Sequence, residues 1–325
     1  MRARLGRQVV ARASDDSGGS GGSEGFRVSS PLVRIRSLLP GLARAEQRVA
    51  EVVLADAASV AHRSITTVAE AAGTSETTVT RFCKAIGIGG YPELRLALAV
   101  EAARSAASGS REVGGDIGPG DRLVDVVAKV AFADARAVEE TADQLDIAVL
   151  DSVVEVLAAA NRVDVCAVGA SAFVALDLQR KLHRIGRTAF AWTDVYMALT
   201  SAALLTPGDV AVGVSHTGST LETVDALARA RLNGACTVAI TNFPRSPITE
   251  VADHVLTTAA RETTFRAGAL VSRTAQLTVV DCLFIGVAQR HHESAQRALA
   301  STHEAISARG LDARADGRRA PRSRR

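Results

Sequence analysis

The stretch Val210-Ala211-Val212-Gly213-Val214-Ser215-His216-Thr217-Gly218-Ser219-Thr220 decides the fold of the larger part of the chain. Its first five residues are small and apolar, which predicts a strand buried on both faces of a sheet. The polar loop that follows opens a helical segment at residues 220–233. A strand that leads through a hydroxyl-rich loop into a helix is typical of the ligand-binding edge of an α/β sheet.

The same strand-to-helix pattern recurs around this stretch. Further strands are predicted at residues 163–168, 188–191, 236–240 and 254–257, with a helix at 171–185 after the first of them. Helices are also predicted at 121–141, 147–160 and 269–289. Strands that alternate with helices predict a doubly wound α/β domain with a parallel five-stranded sheet.

Upstream of this domain the chain has helical periodicity only. Val79, Phe82, Cys83 and Ile86 have the i, i+3, i+4, i+7 spacing of one buried helix face, Ser75 is a suitable N-cap, and Gly87 ends the helix. The opposite face would present short hydroxyls followed by two cations, a set suited to base edges and phosphates of DNA. These candidate DNA-binding residues are Ser75, Thr77, Thr78, Thr80, Arg81 and Lys84. An ordinary solvated helix in a bundle would show the same pattern.

Length and composition favour two soluble domains. The chain has 325 residues, 47% hydrophobic but only 3% aromatic, so aliphatic side chains must fill its cores. Loose segments divide it into a disordered leader at 1–30, an all-α domain at 31–104, a linker at 105–120, an α/β domain at 121–290 and a basic tail at 291–325, expected to be disordered from about 309. Basic residues exceed acidic ones in the all-α domain and at both ends, where they could contact a polyanion or simply aid solubility.

The four cysteines are widely spaced and suggest neither a zinc site nor a disulfide framework, so we expect a cytoplasmic protein with no metal and no cofactor. Cys83 could be a redox sensor or a small buried residue. No segment has the uninterrupted apolar length of a membrane span, and no membrane partner is expected.

The residues between Ala45 and Leu94 resemble the N-terminal domain of the RpiR/MurR family of bacterial regulators. The resemblance is carried by Ala45-Glu46-Gln47-Arg48, Ile65-Thr66-Thr67-Val68-Ala69-Glu70-Ala71-Ala72-Gly73-Thr74-Ser75, Val79 to Gly87, and Gly89-Gly90-Tyr91-Pro92. It implies a helix-turn-helix unit that binds double-stranded operator DNA.

The α/β part resembles the sugar isomerase (SIS) domain, whose S-x-S-G-x-T loop is matched by Ser215 to Thr220, with Thr217 in place of the second serine. Val168 to Ser171, Lys181 to Gly186, Ala239 to Asn242 and Ser272 to Leu277 extend the match. The resemblance implies that Ser171, Ser215, Thr217, Gly218 and Thr220 bind the phosphate and the sugar hydroxyls, His216 mainly through its backbone amide. Glu222, Glu262 and Arg266 are weaker candidates for sugar contacts, with surface or ion-pair roles as the alternative.

Together the two resemblances imply a transcriptional regulator that senses a phosphorylated sugar, assembles as a dimer or tetramer through its SIS domains, and has no catalytic residues. The sugar is left open among hexose, pentose and amino sugar phosphates such as N-acetylmuramic acid 6-phosphate. The alternative is a phosphosugar isomerase or another phosphosugar-processing enzyme, since the SIS fold also carries catalysis. Isomerisation needs a general base, and the spacing of Glu222, Glu262, His183 and His216 singles out none of them.

Overall fold

The computed structural model describes residues 30–107, 116–262 and 271–307 and contains the two predicted units. The first unit is helical. It comprises α1 (Pro31–Leu38), α2 (Arg44–Ala55), α3 (Ala57–Val60), α4 (Ile65–Ala71), α5 (Glu76–Ala85) and α6 (Tyr91–Ala107), with a short 3-10 turn at Leu39–Gly41.

The core of this helical unit is the face predicted from the sequence. Val79, Phe82, Cys83 and Ile86 are fully buried, together with aliphatic residues of α2, α4 and α6. Burial of one side chain as large as Phe82 contributes about 1.5–3 kcal/mol. The hydroxyl of Ser75 accepts a hydrogen bond from the Thr78 amide and so caps α5, as predicted.

The second unit is the predicted α/β domain. Its elements are α7 (Leu123–Gln144), α8 (Ile147–Ala159), β1 (Val163–Cys166), α9 (Ser171–Arg184), β2 (Ala189–Trp192), α10 (Val195–Ala202), β3 (Val210–Val214), α11 (Leu221–Leu232), β4 (Cys236–Thr241), α12 (Pro247–Glu250), β5 (His254–Thr257), α13 (Val271–Arg290) and α14 (His292–Ser307). All strand pairs are parallel and the strand order is β2-β1-β3-β4-β5.

Side-chain size differs between the two faces of the sheet. Val210, Val212 and Val214 of β3 pack with α8, α9 and α13 on one face. Ala211 and Gly213 point to the other face, where α11 lies so close that a Cβ atom on Gly213 would be 2.7 Å from the Leu227 side chain. Small residues on that face therefore allow the close approach of the helix that follows the hydroxyl-rich loop.

Helix α13 is long and apolar enough to span a membrane by length and composition alone. It packs against α7, α8 and α9 and buries a full stripe of residues that includes Ala275, Val279 and Leu283. This is the packing of a core helix.

Several elements differ from the sequence predictions. Strand β1 ends at Cys166 rather than at residue 168, and β4 continues to Thr241. Helix α14 lies in the segment predicted as a basic tail; its residue Ala295 is buried and Leu299, one turn later, packs against the core of the α/β domain. Of the predicted leader, only Ser30 is described, and it caps α1. The rest of the leader, residues 108–115 of the linker and the end of the tail lie outside the described residues.

Candidate functional site

The turn before α5 is held by an arginine from another helix. Gly73 has a φ of +57°, a conformation that glycine adopts without strain, and this lets the chain turn between α4 and α5. Arg48 of α2 donates to the carbonyl oxygens of Ala72 and Gly73 at 3.0 and 3.2 Å. A side chain of α2 thus holds the turn between α4 and α5 in place.

The outward face of α5 exposes Thr77, Arg81 and Lys84, while Thr78 and Thr80 are partly exposed. The Thr80 hydroxyl donates to the Glu76 carbonyl within the helix. The predicted DNA-binding residues therefore share one solvent-accessible face, except that the Ser75 hydroxyl is used as the helix cap.

Arg81 is oriented by a carboxylate below it. Its Nη2 atom lies 3.3 Å from Oε1 of Glu46, and the side chain remains 65% exposed whereas that of Glu46 is 10% exposed. The second oxygen of Glu46 accepts from the Ala43 amide at 3.2 Å. Glu46 thus caps α2 and positions the guanidinium on the surface of α5 at the same time.

Cys83 faces away from this surface and is fully buried. Burial raises the pKa of its thiol to about 11, so the thiolate needed for oxidation is scarce at neutral pH. The geometry favours the role of a small core residue over that of a redox sensor.

The hydroxyl-rich loop lies at the point where the strand order of the sheet reverses. Neighbouring strands β1 and β3 lead in opposite lateral directions, so the loops after them diverge and leave a crevice at their carboxyl ends. The loop after β1 carries Ser171 and the loop after β3 runs from Ser215 to Thr220. The structure therefore brings Ser171 and the Ser215–Thr220 loop to the same edge of the sheet.

Within the second loop the hydroxyls bond to one another rather than to helix ends. Ser215 Oγ and Thr220 Oγ1 are 2.9 Å apart, and Ser215 Oγ accepts from the Gly218 amide at 3.1 Å. Thr220 is the N-cap residue of α11, but its side chain makes no capping bond. At the start of α9 the N-cap residue is Ala170, which has no polar side chain with which to cap the helix. Simple capping does not account for these hydroxyls.

A residue other than glycine at position 218 would strain the backbone and clash with Ser246. Its φ is +64°, and a Cβ atom there would lie 2.0 Å from Ser246 Oγ. The Gly218 carbonyl accepts from the Ile248 amide at 2.9 Å, which holds the loop against α12. The loop shape is therefore fixed by its backbone.

His216 lies partly buried at the side of this loop, with its ring edge-on to Phe243 at 5.6 Å. Burial lowers the pKa of His216, an effect that the nearby Glu262 carboxylate opposes. Its carbonyl accepts from the Asn242 amide and the Thr241 hydroxyl. Burial therefore favours the neutral form of the imidazole, while the backbone of His216 supports the loop.

The weaker sugar-contact candidates are placed differently from one another. Glu222 is exposed in the first turn of α11, Glu262 faces His216 and the start of α13, and Arg266 lies outside the described residues. Two residues near the loops were not predicted as site residues: Ser272 and Gln276 of α13, both buried. The Ser171 hydroxyl donates to Gln276 Oε1 across 3.5 Å. Gln276 lies in the stretch Ser272 to Leu277 that resembles the SIS domain, and nothing in that stretch indicates that its side chain reaches Ser171.

In residues 30–107, 116–262 and 271–307, no group of three or more His, Cys, Asp and Glu side chains is placed to hold a metal ion. What the described edge of the sheet offers is hydroxyls, backbone amides and two helix N-termini. Helix N-termini favour anions, by about 0.3–1 kcal/mol each at exposed positions. The crevice is chemically suited to a phosphate on a polar ligand.

Comparison with known proteins gives a matching family model for each of the two units. Residues 30–105 match the helix-turn-helix domain of the rpiR family, and residues 156–286 match the SIS domain. An HTH-type transcriptional regulator of Caldanaerobacter subterraneus is 37% identical over 86% of this chain and 98% of its own length. The HTH-type transcriptional regulator HexR of Pseudomonas aeruginosa is 37% identical over 80% of this chain and 89% of its own length.

Among solved structures, NanR of Vibrio vulnificus in complex with ManNAc-6P superposes with a TM-score of 0.56 at 29% identity, covering 87% of this chain and 100% of NanR. The family resemblance drawn from the sequence is confirmed. The chain belongs to the RpiR family of helix-turn-helix transcriptional regulators, with a SIS domain behind its DNA-binding domain.

Proposed function

We propose that this regulator binds a phosphorylated sugar in its SIS domain and that occupancy of this site sets the affinity of its helix-turn-helix domain for operator DNA, in the cytoplasm, at genes of carbohydrate metabolism. The observation that carries the proposal is the pair of hydroxyl-bearing loops at Ser171 and Ser215–Thr220, which meet at the reversal point of the sheet.

The phosphate would bind at the start of α11. Ser215, Thr217 and Thr220 supply hydroxyls there, and the first turn of the helix supplies amides that no side chain caps. Because Gly218 fixes the loop, these donors are positioned before the ligand arrives, which lowers the entropic cost of binding.

Support for a sugar phosphate as effector comes from NanR, which was solved with ManNAc-6P. The phosphate group that the loop would bind is shared by several classes of sugar. These are the amino sugar phosphates, including N-acetylmuramic acid 6-phosphate, and the plain hexose and pentose phosphates.

On DNA, we propose that a dimer or tetramer formed through the SIS domains presents paired α5 helices to an inverted repeat. The half-sites would be separated by whole helical turns, since both recognition helices must face the same side of the duplex. Arg81 would read a base edge, with Thr77 and Thr78 near the backbone and Lys84 neutralising phosphate charge.

Direct contacts offer a route between the two sites. The Ser215–Thr220 loop is called the phosphate loop below. The backbone amide of Asn242 donates to the carbonyl of His216 in this loop, and Oδ1 of the Asn242 side chain accepts from the Ala260 amide at 2.7 Å. The neighbouring Ala259 amide donates to Thr141 of α7 at 3.0 Å. Movement of the phosphate loop would therefore reach α7.

From α7 the contact continues into the helical unit. Glu140, next to Thr141 in the chain, lies 3.7 Å from Arg36 of α1, and both side chains are partly buried. A ligand that binds better to one arrangement of this contact would bias the position of the DNA-reading helices.

The experiment that tests the proposal is a thermal-unfolding screen of the full chain against phosphorylated sugars, followed by operator binding with each hit. A ligand at about 100 times its Kd adds about 2.7 kcal/mol of stability, which corresponds to a Tm shift of several degrees. A panel in which no sugar phosphate shifts Tm would refute sensing. Turnover of a hit to a new sugar phosphate would instead favour the isomerase alternative.

A further inference from the structure

Four side chains beside the crevice have buried polar atoms with no hydrogen-bond partner among the described residues. They are Nδ1 of His216, Oε2 of Glu262, Oγ of Ser272 and Nε2 of Gln276. Ser272 is 0% exposed and Gln276 is 1% exposed. Buried polar groups are nearly always paired, so such a cluster calls for an explanation.

The cluster is continuous with the predicted site. Glu262 Oε1 accepts from the Ser272 amide at 2.9 Å, and Ser272 and Gln276 are one turn apart on the same face of α13. Gln276 in turn contacts Ser171 at the start of α9. Glu262 also acts electrostatically on His216 of the phosphate loop. These four residues therefore form one cluster that extends from His216 in the Ser215–Thr220 loop to Ser171 at the start of α9.

The unpaired atoms have complementary chemistry. The amide nitrogen of Gln276 donates, the carboxylate of Glu262 accepts, and the hydroxyl of Ser272 does both. A sugar hydroxyl also donates and accepts, so a chain of hydroxyls can satisfy the cluster. The cluster contains the carboxylate of Glu262. A carboxylate on the ligand would be repelled by it.

We propose that Glu262, Ser272 and Gln276 bind the hydroxyl-bearing carbon chain of the ligand and select a phosphorylated neutral sugar over a phosphorylated sugar acid. N-acetylmuramic acid 6-phosphate, which carries a lactyl carboxylate, belongs to the disfavoured group. The assignment rests on the proposed function, because it takes the Ser215–Thr220 loop as the phosphate site. It makes the two loops and α13 one binding site, with phosphate at α11 and sugar at α13.

Ser272→Ala is the sharpest test, because the hydroxyl it removes has no partner in the described structure. The full-length variant should unfold at the same temperature as the wild type or a higher one without ligand. It should bind neutral sugar phosphates 5- to 30-fold more weakly, and inorganic phosphate as before. Gln276→Leu, which keeps the side-chain volume, should have the same effect on binding.

Thr278→Val is the matched control. Thr278 lies on the same helix and its hydroxyl donates to the Thr274 carbonyl, so this variant also loses a hydroxyl of α13, but one that lies outside the cluster. Calorimetry would use inorganic phosphate, glucose 6-phosphate, ManNAc-6P and 6-phosphogluconate as probes.

The assignment predicts that wild type binds a neutral sugar phosphate at least tenfold more tightly than both inorganic phosphate and 6-phosphogluconate. Sugar binding that is equal in wild type and Ser272→Ala, or tighter binding of 6-phosphogluconate, would overturn the assignment but leave the proposed function standing. Failure of the wild type to bind any of these probes or any sugar phosphate of the thermal screen would overturn both.

Discussion

Nη2 of Arg81 on the recognition helix lies 3.3 Å from Oε1 of Glu46, a carboxylate buried beneath it at the start of α2. A long, exposed arginine side chain ordinarily samples many rotamers. The ion pair limits that freedom and holds the guanidinium in one orientation on the outward face of α5. Under our proposal this favours a specific base contact over diffuse attraction to phosphates.

Arg81→Ala is therefore expected to lose sequence preference. The loss should be about 1–3 kcal/mol in operator binding, as for a bidentate contact with guanine, with little change on unrelated DNA. Fluorescence anisotropy with operator and scrambled duplexes would measure it. Glu46→Gln, which keeps a capping side chain on α2, should show a smaller loss in the same direction.

Lys84→Ala is the control for charge alone. It should weaken operator and scrambled DNA to the same extent and reduce the salt slope by about one. If Arg81→Ala behaves like Lys84→Ala, Arg81 contacts the backbone and the account of base reading is wrong.

The double variant Ser215→Ala with Thr220→Val should abolish the response to ligand while leaving operator binding intact. It removes two hydroxyls that bond to each other 2.9 Å apart at the start of α11 and touches no residue of the helical unit. Operator binding with and without the sugar phosphate from the thermal screen would measure the response. A variant that still responds would place the phosphate elsewhere.

His216 gives the stability of the SIS domain a pH dependence. Burial places its pKa in the folded chain below the value of about 6.5 in the unfolded chain. At a pH between those two values the unfolded state binds more protons than the folded state. The stability contributed by the neutral imidazole is therefore complete above about pH 6.5 and falls as the pH drops below it. Urea unfolding at pH 5.5 and 7.5 should show a smaller loss of stability in His216→Gln than in wild type. Equal losses would mean that the imidazole is solvated.

Arg36→Gln tests the contact between the two units. It should leave ligand binding and operator binding close to wild type when each is measured alone, and reduce the factor by which one changes the other. Arg136→Gln is the matched control, because Arg136 pairs with the same Glu140 carboxylate at 2.5 Å from within α7. If ligand changes operator affinity by the wild-type factor in both variants, the contacts of Glu140 do not couple the two sites.

The sequence predicted those parts of the fold that depend on local pattern. The apolar run of Val210 to Val214 and the helical spacing of Val79, Phe82 and Ile86 are local signals, and the structure confirms both. The turn at Gly73 and the loop at Gly218 likewise follow from what glycine allows. Both loops could be placed at one edge because parallel strands end on the same side of a sheet.

Contacts between distant segments could not be predicted in this way. Ser171 and Gln276 are 105 residues apart in the chain, and Arg36 and Glu140 come from different units. Their meeting depends on how α13 and α7 pack, which periodicity does not encode. Helix α14 was not predicted because most of its residues are polar or small, although Ala295 is buried and Leu299 packs against the core.

The measurement that tests the central claim most directly is the affinity of the full chain for its operator, at fixed salt, with and without a saturating sugar phosphate identified by the thermal screen. The account predicts a change of about 5- to 150-fold, the range of ordinary coupling between two sites, and its loss in the Ser215→Ala, Thr220→Val variant. An operator affinity that is the same with and without every sugar phosphate that binds would contradict it.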